Sequence, residues 1–177
     1  MKPRPAPCLV LAVYPTARGF GWACFDGPFT LFESGLHSVS KDKNAACLRK
    51  IEGLLERLKP ETLVLEAFDK GSSLRSGRIR RLSLSIVTLA ADQGLELAVF
   101  TKADVQAAFA GVGARTRHEI ALAIGRHLPG LAYRTPKDRK NGDSEDKRLS
   151  IFNAAALVLT HYHFGSLGLL EALRDAA

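Results

Sequence analysis

Cysteine is scarce in this sequence, and its placement argues against cross-linking. Cys8, Cys24 and Cys47 are odd in number and show neither a CxxC pair nor Cys/His metal spacing. That argues against a disulfide framework and a zinc module and sets the expected location in reducing cytoplasm. Long apolar runs are missing too. No stretch approaches the ~18–20 uncharged residues of a membrane-spanning helix, and the opening Met-Lys-Pro-Arg-Pro-Ala-Pro lacks the apolar core of a secretion signal, so a soluble protein with no membrane partner is expected. There is no internal repeat and no low-complexity segment. Acid is absent locally: between Asp69 and Asp92 there is no Asp or Glu, while Lys70, Arg75, Arg78, Arg80 and Arg81 crowd the first half of that span.

What is present suits one globular domain. The chain has 177 residues, 46% hydrophobic and 24% charged, enough to bury a core. We expect a flexible tail over 1–7, a single domain over 8–164, and a tail or helix extension over 165–177. The formal charge of +7 favours a polyanionic partner, because Lys and Arg release the counterions condensed on phosphates.

Cys8 to Trp22 reads as an apolar strand, an Arg/Gly turn and a returning strand. Asp26-Gly27 signals a hairpin turn, and Phe29 to Glu33 restarts the strand pattern. From Asp42 to Lys59 apolar residues recur at helical spacing up to Pro60. Thr62 to Glu66 is a short strand ending in an acid. A helix is predicted over Ser72–Asp92, with Ile79, Leu82, Ile86 and Leu89 in one stripe and Gly94 after its end. That stripe could serve the sheet or a twofold mate. Leu95 to Phe100 is a fifth strand. Thr101 with Asp104 and Thr116 with Glu119 have capping-box spacing, so two shorter helices follow, separated at Gly111-Val112-Gly113. Tyr133 to Asp146 is an exposed loop, and a last helix runs from about Asp146 to His163. Three meandering strands followed by strand–helix alternation predict an α/β fold with a five-stranded mixed sheet flanked by helices.

The segment Cys8 to Trp22, with Tyr14-Pro15-Thr16-Ala17-Arg18-Gly19-Phe20-Gly21 within it, resembles the opening of the RuvC-type Holliday-junction resolvases of the RNase H-like superfamily, where the first strand ends in Asp-Pro-Gly and a Gly follows in the returning strand. Leu63-Val64-Leu65-Glu66 is similar to that family's second acidic strand. Ala110 to Gly113 matches its Gly-containing turn, and Asn153-Ala154-Ala155-Ala156 through His161 and His163 its final helix. The resemblance covers residues 8 to 164 and implies an RNase H-like fold, a nucleic acid partner, expected to be DNA, and a homodimer. It places the family's four acidic positions at Tyr14, Glu66, Ser150 and Asn153. Only Glu66 keeps a carboxylate.

The superfamily reaction uses two Mg2+ ions about 4 Å apart. Four carboxylates nearly balance their charge; one does not. A tyrosine hydroxyl stays protonated at neutral pH, and Ser150 and Asn153 offer neutral oxygens only. The expected protein is therefore a DNA-binding pseudonuclease of degenerate site, needing no cofactor, with Glu66 hydrogen-bonded to Tyr14 or Asn153. The alternative is a Mg2+-dependent, structure-selective endonuclease whose acidic site is rebuilt. Asp146, one helical turn before Ser150, is the substitute carboxylate, with Asp69, Asp143 and Glu145 as further candidates. A third reading is a protein-interaction scaffold.

The candidate DNA contacts are Arg18, Arg75, Arg78, Arg80, Arg81, Arg115 and Arg117. Arg80 and Arg81 point away from the apolar stripe. Arg117 falls near a family lysine, and Gln106 stands where another would be expected. Phe68 is a candidate for stacking on a base, more simply a core aromatic, and His161 and His163 read as packing residues.

Overall fold

Side-chain alternation along the first strand decides the architecture, because Val10 to Pro15 are all buried apolar or aromatic residues and two layers are needed to cover both faces. The computed structural model describes residues 6–67, 77–137 and 146–175. Among them the elements run β1 (Val10–Thr16), β2 (Gly19–Phe25), β3 (Leu31–Ser38), α1 (Lys43–Leu58), β4 (Thr62–Glu66), α2 (Gly77–Asp92), β5 (Glu96–Phe100), α3 (Lys102–Phe109), a 3-10 turn at Ala110–Val112, α4 (Arg117–His127), α5 (Pro129–Ala132) and α6 (Leu149–Asp175). The five strands form one sheet in the order β3-β2-β1-β4-β5. β1 pairs antiparallel with β2 and parallel with β4, β2 pairs antiparallel with β3, and β4 parallel with β5. The expected mixed sheet flanked by helices is the fold observed.

Leu11 and Val13 from one face of β1, with Leu9 just before it, meet Leu63 and Leu65 of β4, Cys47, Ile51, Leu54 and Leu55 of α1, and Leu82 and Ile86 of α2. Val10, Ala12 and Tyr14 from the other face join Val64 of β4, Ile120 and Ile124 of α4, and Phe152, Ala155 and Leu157 of α6. Full burial of each Leu, Ile or Phe contributes about 2 kcal/mol. By the same alternation Tyr14 and Glu66 lie on the α6 side of neighbouring strands.

The α2 stripe therefore serves the sheet: Ile79, Leu82 and Ile86 are buried and Leu89 packs against the same core, while Leu84 stands out in solvent. The helix closes at Gly94, whose φ of 68° accommodates a left-handed turn in which Leu95 N–H donates to Ala90 O at 3.0 Å. Residues 68–76, including the expected start of this helix, Phe68, Asp69 and Arg75, lie outside the described residues, as do 1–5, Asp143 and Glu145.

Some boundaries differ from expectation. The hairpin after β2 is longer than a two-residue turn, with Asp26 N–H donating to Thr30 O at 2.9 Å, so β3 restarts at Leu31 and Phe29 is left exposed. The last helix begins at Leu149, not Asp146: Leu149 N–H reaches Asp146 O at 2.9 Å in a tight turn that precedes the helix. It runs on past His163 to Asp175. The short α5 was not expected; Pro129 at its first turn starts it. Among the described residues no helix is long and apolar enough to cross a membrane.

Both capping boxes form as read. Thr101 accepts from Asp104 N–H at 3.1 Å and returns its own N–H to the Asp104 carboxylate at 2.8 Å; Thr116 and Glu119 repeat the pattern ahead of α4. Thr116→Ala is expected to cost about 1 kcal/mol, read as a lower midpoint in urea unfolding.

Candidate functional site

Tyr14 near the end of β1 and Glu66 at the end of β4 open into one cleft, which residues of α3, α4 and α6 also line. Close approach of α6 depends on Gly21, the cross-strand partner of Tyr14. A Cβ at Gly21 would lie 2.4 Å from Ser150 Oγ and 2.5 Å from its carbonyl carbon. Ser150 is thus pressed against the sheet, buried, and donates its hydroxyl to Lys147 O at 2.8 Å. Asn153, one turn on, lines the cleft beside Tyr14 and Glu66.

The centre of the cleft holds a cation of the protein's own. Arg117, the first residue of α4, donates through Nη1 to the Tyr14 hydroxyl and through Nη2 to Glu66 Oε1 at 3.1 Å. Its guanidinium carbon lies 5.3 Å from the Tyr14 ring centroid, within cation–π range. The Glu66 side chain is 9% exposed and that of Arg117 33%, so the carboxylate is the buried partner. Arg117 thus bridges Glu66 and Tyr14, and is turned inward rather than held out for phosphate alone.

Asp146 lines a larger cleft of about 630 Å³ together with Tyr14, Arg18, Arg117, Lys147, Ser150 and Asn153. It stands in the turn before α6 and not on the helix, so it does not lie one helical turn before Ser150 as expected. Its oxygens take Arg148 Nε at 3.1 Å and Nη2 at 2.7 Å. The Arg148 guanidinium holds its carboxyl below the usual carboxylate range. Glu119 is held low as well, by the backbone N–H groups of Thr116 and Arg115. Burial lowers His37, a lining residue of the larger cleft, and His161.

Paired divalent ions need clustered anionic oxygens. Among the described residues no group of three or more His, Cys, Asp or Glu could hold a metal ion, Glu66 is engaged by Arg117 and Asp146 by Arg148. The described donor set does not fit two Mg2+ ions.

The other basic candidates divide. Arg18 is exposed at the β1–β2 turn and lines the larger cleft. Arg80 and Arg81 are exposed on α2, and Arg115 is exposed beside Arg117. Arg78 is a clamp: Nη2 donates to Thr16 O at 2.8 Å and Nη1 to Asn44 Oδ1 at 3.0 Å, tying α2 to the β1–β2 turn and α1. Its position near the edge of the apolar stripe turned it inward. Gln106 donates to Arg115 O at 3.2 Å, fixing the turn before α4. His161 packs on Phe100 at 6.3 Å and His163 on Phe164 at 5.2 Å between ring centroids.

Lys102 was missed in the sequence. It lines three recesses that Arg117 also lines, two of them shared with Tyr14. The signal was its place as the first residue of α3, where a cation opposes the helix dipole.

No family model matches the chain. It is 28% identical over 175 residues to the crossover junction endodeoxyribonuclease RuvC of Cereibacter sphaeroides (strain ATCC 17029 / ATH 2.4.9), covering 92% of this chain and 95% of that one. The fold is similar to Thermus thermophilus RuvC, with a TM-score of 0.67 at 19% identity over 90% of this chain and 96% of that one. In its complex with Holliday junction substrate, that protein gives a TM-score of 0.68 at 17% identity over the same shares. The yeast mitochondrial Holliday junction resolvase gives 0.60 at 10% identity, covering 92% of this chain and 81% of that one. By its sheet order and by this likeness over nine-tenths of its length, the chain has the RuvC-like, RNase H-like fold.

Proposed function

We propose that this chain is a nucleic-acid-binding pseudonuclease, which grips branched or duplex DNA and leaves it uncut. The observation that carries the reading is the Arg117 guanidinium bound to both Tyr14 and Glu66. A carboxylate paired with a guanidinium is withdrawn from metal coordination, and hard divalent ions need several such oxygens. The partner class is supported by the net charge of +7, by the exposed Arg18, Arg80, Arg81 and Arg115, and by a relative named as a crossover junction endodeoxyribonuclease and a structural neighbour in complex with Holliday junction substrate. A homodimer, in this reading, would use surfaces other than the Ile79, Leu82 and Ile86 stripe, which the sheet already covers.

The second reading, a structure-selective Mg2+-dependent endonuclease, is favoured by the names of those relatives and by Asp146, which lines the same cleft as Tyr14 and Asn153. Synthetic four-way junctions and duplexes, incubated with Mg2+ or Mn2+, separate the readings. Binding without cleavage is expected. The affinity should fall steeply with added salt and weaken further in the Arg80→Ala/Arg81→Ala variant. Metal-dependent products that vanish with Glu66→Ala would establish the endonuclease, and absence of any salt-dependent binding would leave the interaction scaffold.

A further inference from the structure

Three cations converge on the Tyr14–Glu66 recess from separate places in the chain: Lys102 opens α3, Arg115 stands in the turn before α4, and Arg117 opens α4. They share its lining with a single carboxylate, Glu66, and that carboxylate is taken up by Arg117. An adjoining cleft of about 410 Å³ is lined by the same Lys102, Gln106, Arg115 and Arg117 together with Asp146, whose carboxylate is paired with Arg148. The local sign of charge is therefore positive, the reverse of what a divalent-ion site requires.

The geometry suits an anion held by side chains. Lys102 and Arg115 are exposed, and among the described residues neither side chain makes a hydrogen bond or ion pair. The base of Arg115 is nonetheless rigid: its N–H donates to Glu119 Oε2 at 2.8 Å and its carbonyl accepts from Gln106 at 3.2 Å. The capping box takes the N–H groups of Arg115, Thr116 and Glu119 for the protein's own side chains, so the proposed contacts are side-chain ones. Lys102 opposes the dipole of α3, an unfavourable placement that a bound anion would offset.

We infer that this cleft is a metal-independent phosphate site, in which Lys102 and Arg115, beside the anchored Arg117, hold one phosphodiester of the DNA backbone by charge-assisted hydrogen bonds. The inference rests on the DNA-binding reading and deepens it: the fixed guanidinium takes over the electrostatic part that divalent ions would otherwise supply. Such a site works equally with and without Mg2+.

The test measures duplex and four-way-junction affinity in EDTA and in Mg2+, across a salt series, for the wild type and for Lys102→Ala/Arg115→Ala. Arg49→Ala/Lys50→Ala, on α1 across the sheet, removes the same charge as a control. Wild-type affinity should differ by no more than about threefold between EDTA and Mg2+, since the ion only competes for the DNA. The cleft variant should lose roughly tenfold in affinity and about two units of salt slope, with the control close to wild type. Inorganic phosphate should raise the Tm of the wild type and not of the cleft variant.

A Mg2+ requirement for binding, an unchanged salt slope in the cleft variant, or an equal loss in the control would overturn the inference while leaving DNA binding in place. Loss of all DNA binding with the phosphate response retained and cleft-dependent would overturn the DNA reading and keep the phosphate site. Loss of both would overturn both.

Discussion

Gly21→Ala is expected to destabilise the protein by about 3 kcal/mol, at the upper end for overpacking a core position. The added methyl would sit 2.4 to 2.6 Å from Ser150 Oγ, its carbonyl carbon and its carbonyl oxygen. Two of those atoms are backbone, so no rotamer change relieves the overlap. The helix cannot easily retreat either, because Ile151, Phe152, Ala154 and Ala155 behind Ser150 are buried in the core. The control is Gly53→Ala on α1, where an added Cβ meets nothing within 4 Å and a gain of about 0.5–1 kcal/mol in helix stability is expected. Urea unfolding of both variants reads the contrast directly. Equal stability of the two would mean that α6 does not rest on β2 at Ser150.

Arg117→Met is expected to cost about 2 kcal/mol and to make stability depend on Glu66. Removing one partner of a buried ion pair leaves the other charge desolvated, a loss of about 3–5 kcal/mol when both are fully buried; the partial exposure of Arg117, 33%, reduces it. The variant also loses the guanidinium contact with the Tyr14 ring. Adding Glu66→Gln to Arg117→Met should recover part of the loss, because a neutral amide tolerates the buried strand end better than a carboxylate does. A double-mutant cycle with Arg117→Met, Glu66→Gln and their combination measures the coupling. If Glu66 were a metal ligand instead, millimolar Mg2+ would raise the Tm of Arg117→Met by filling the vacated place. No such rise is expected from one carboxylate. Additive effects of the two substitutions, or a Mg2+-dependent rise in Tm, would contradict the account of the cleft.

The order of elements was legible because each was written in local chemistry. Apolar β1, the Thr116/Glu119 capping box and the apolar stripe of α2 act over a few residues, and no distant contact overrides them. The start of α6 was misread by three residues for a related reason: Asp146 has the spacing of a helical residue, but it folds into a tight turn and takes Arg148 across two positions. Among the basic residues, exposure of Arg80 and Arg81 followed from the helical period. Arg78 differed, since only the β1–β2 turn arriving beside α2 supplied the Thr16 carbonyl that captures it.

The sequence by itself determined that three of the four acidic positions implied by the resemblance are filled by Tyr14, Ser150 and Asn153, because the loss of a carboxylate is a property of composition at a position. What becomes of the remaining charge could not be read there. Arg117 stands 51 residues from Glu66 and 103 from Tyr14 along the chain, and only the packing of α4 over the ends of β1 and β4 brings its guanidinium between them. Electrostatic pairing acts over a few ångströms of space whatever the separation in sequence, so the sign of the cleft was settled by the tertiary structure.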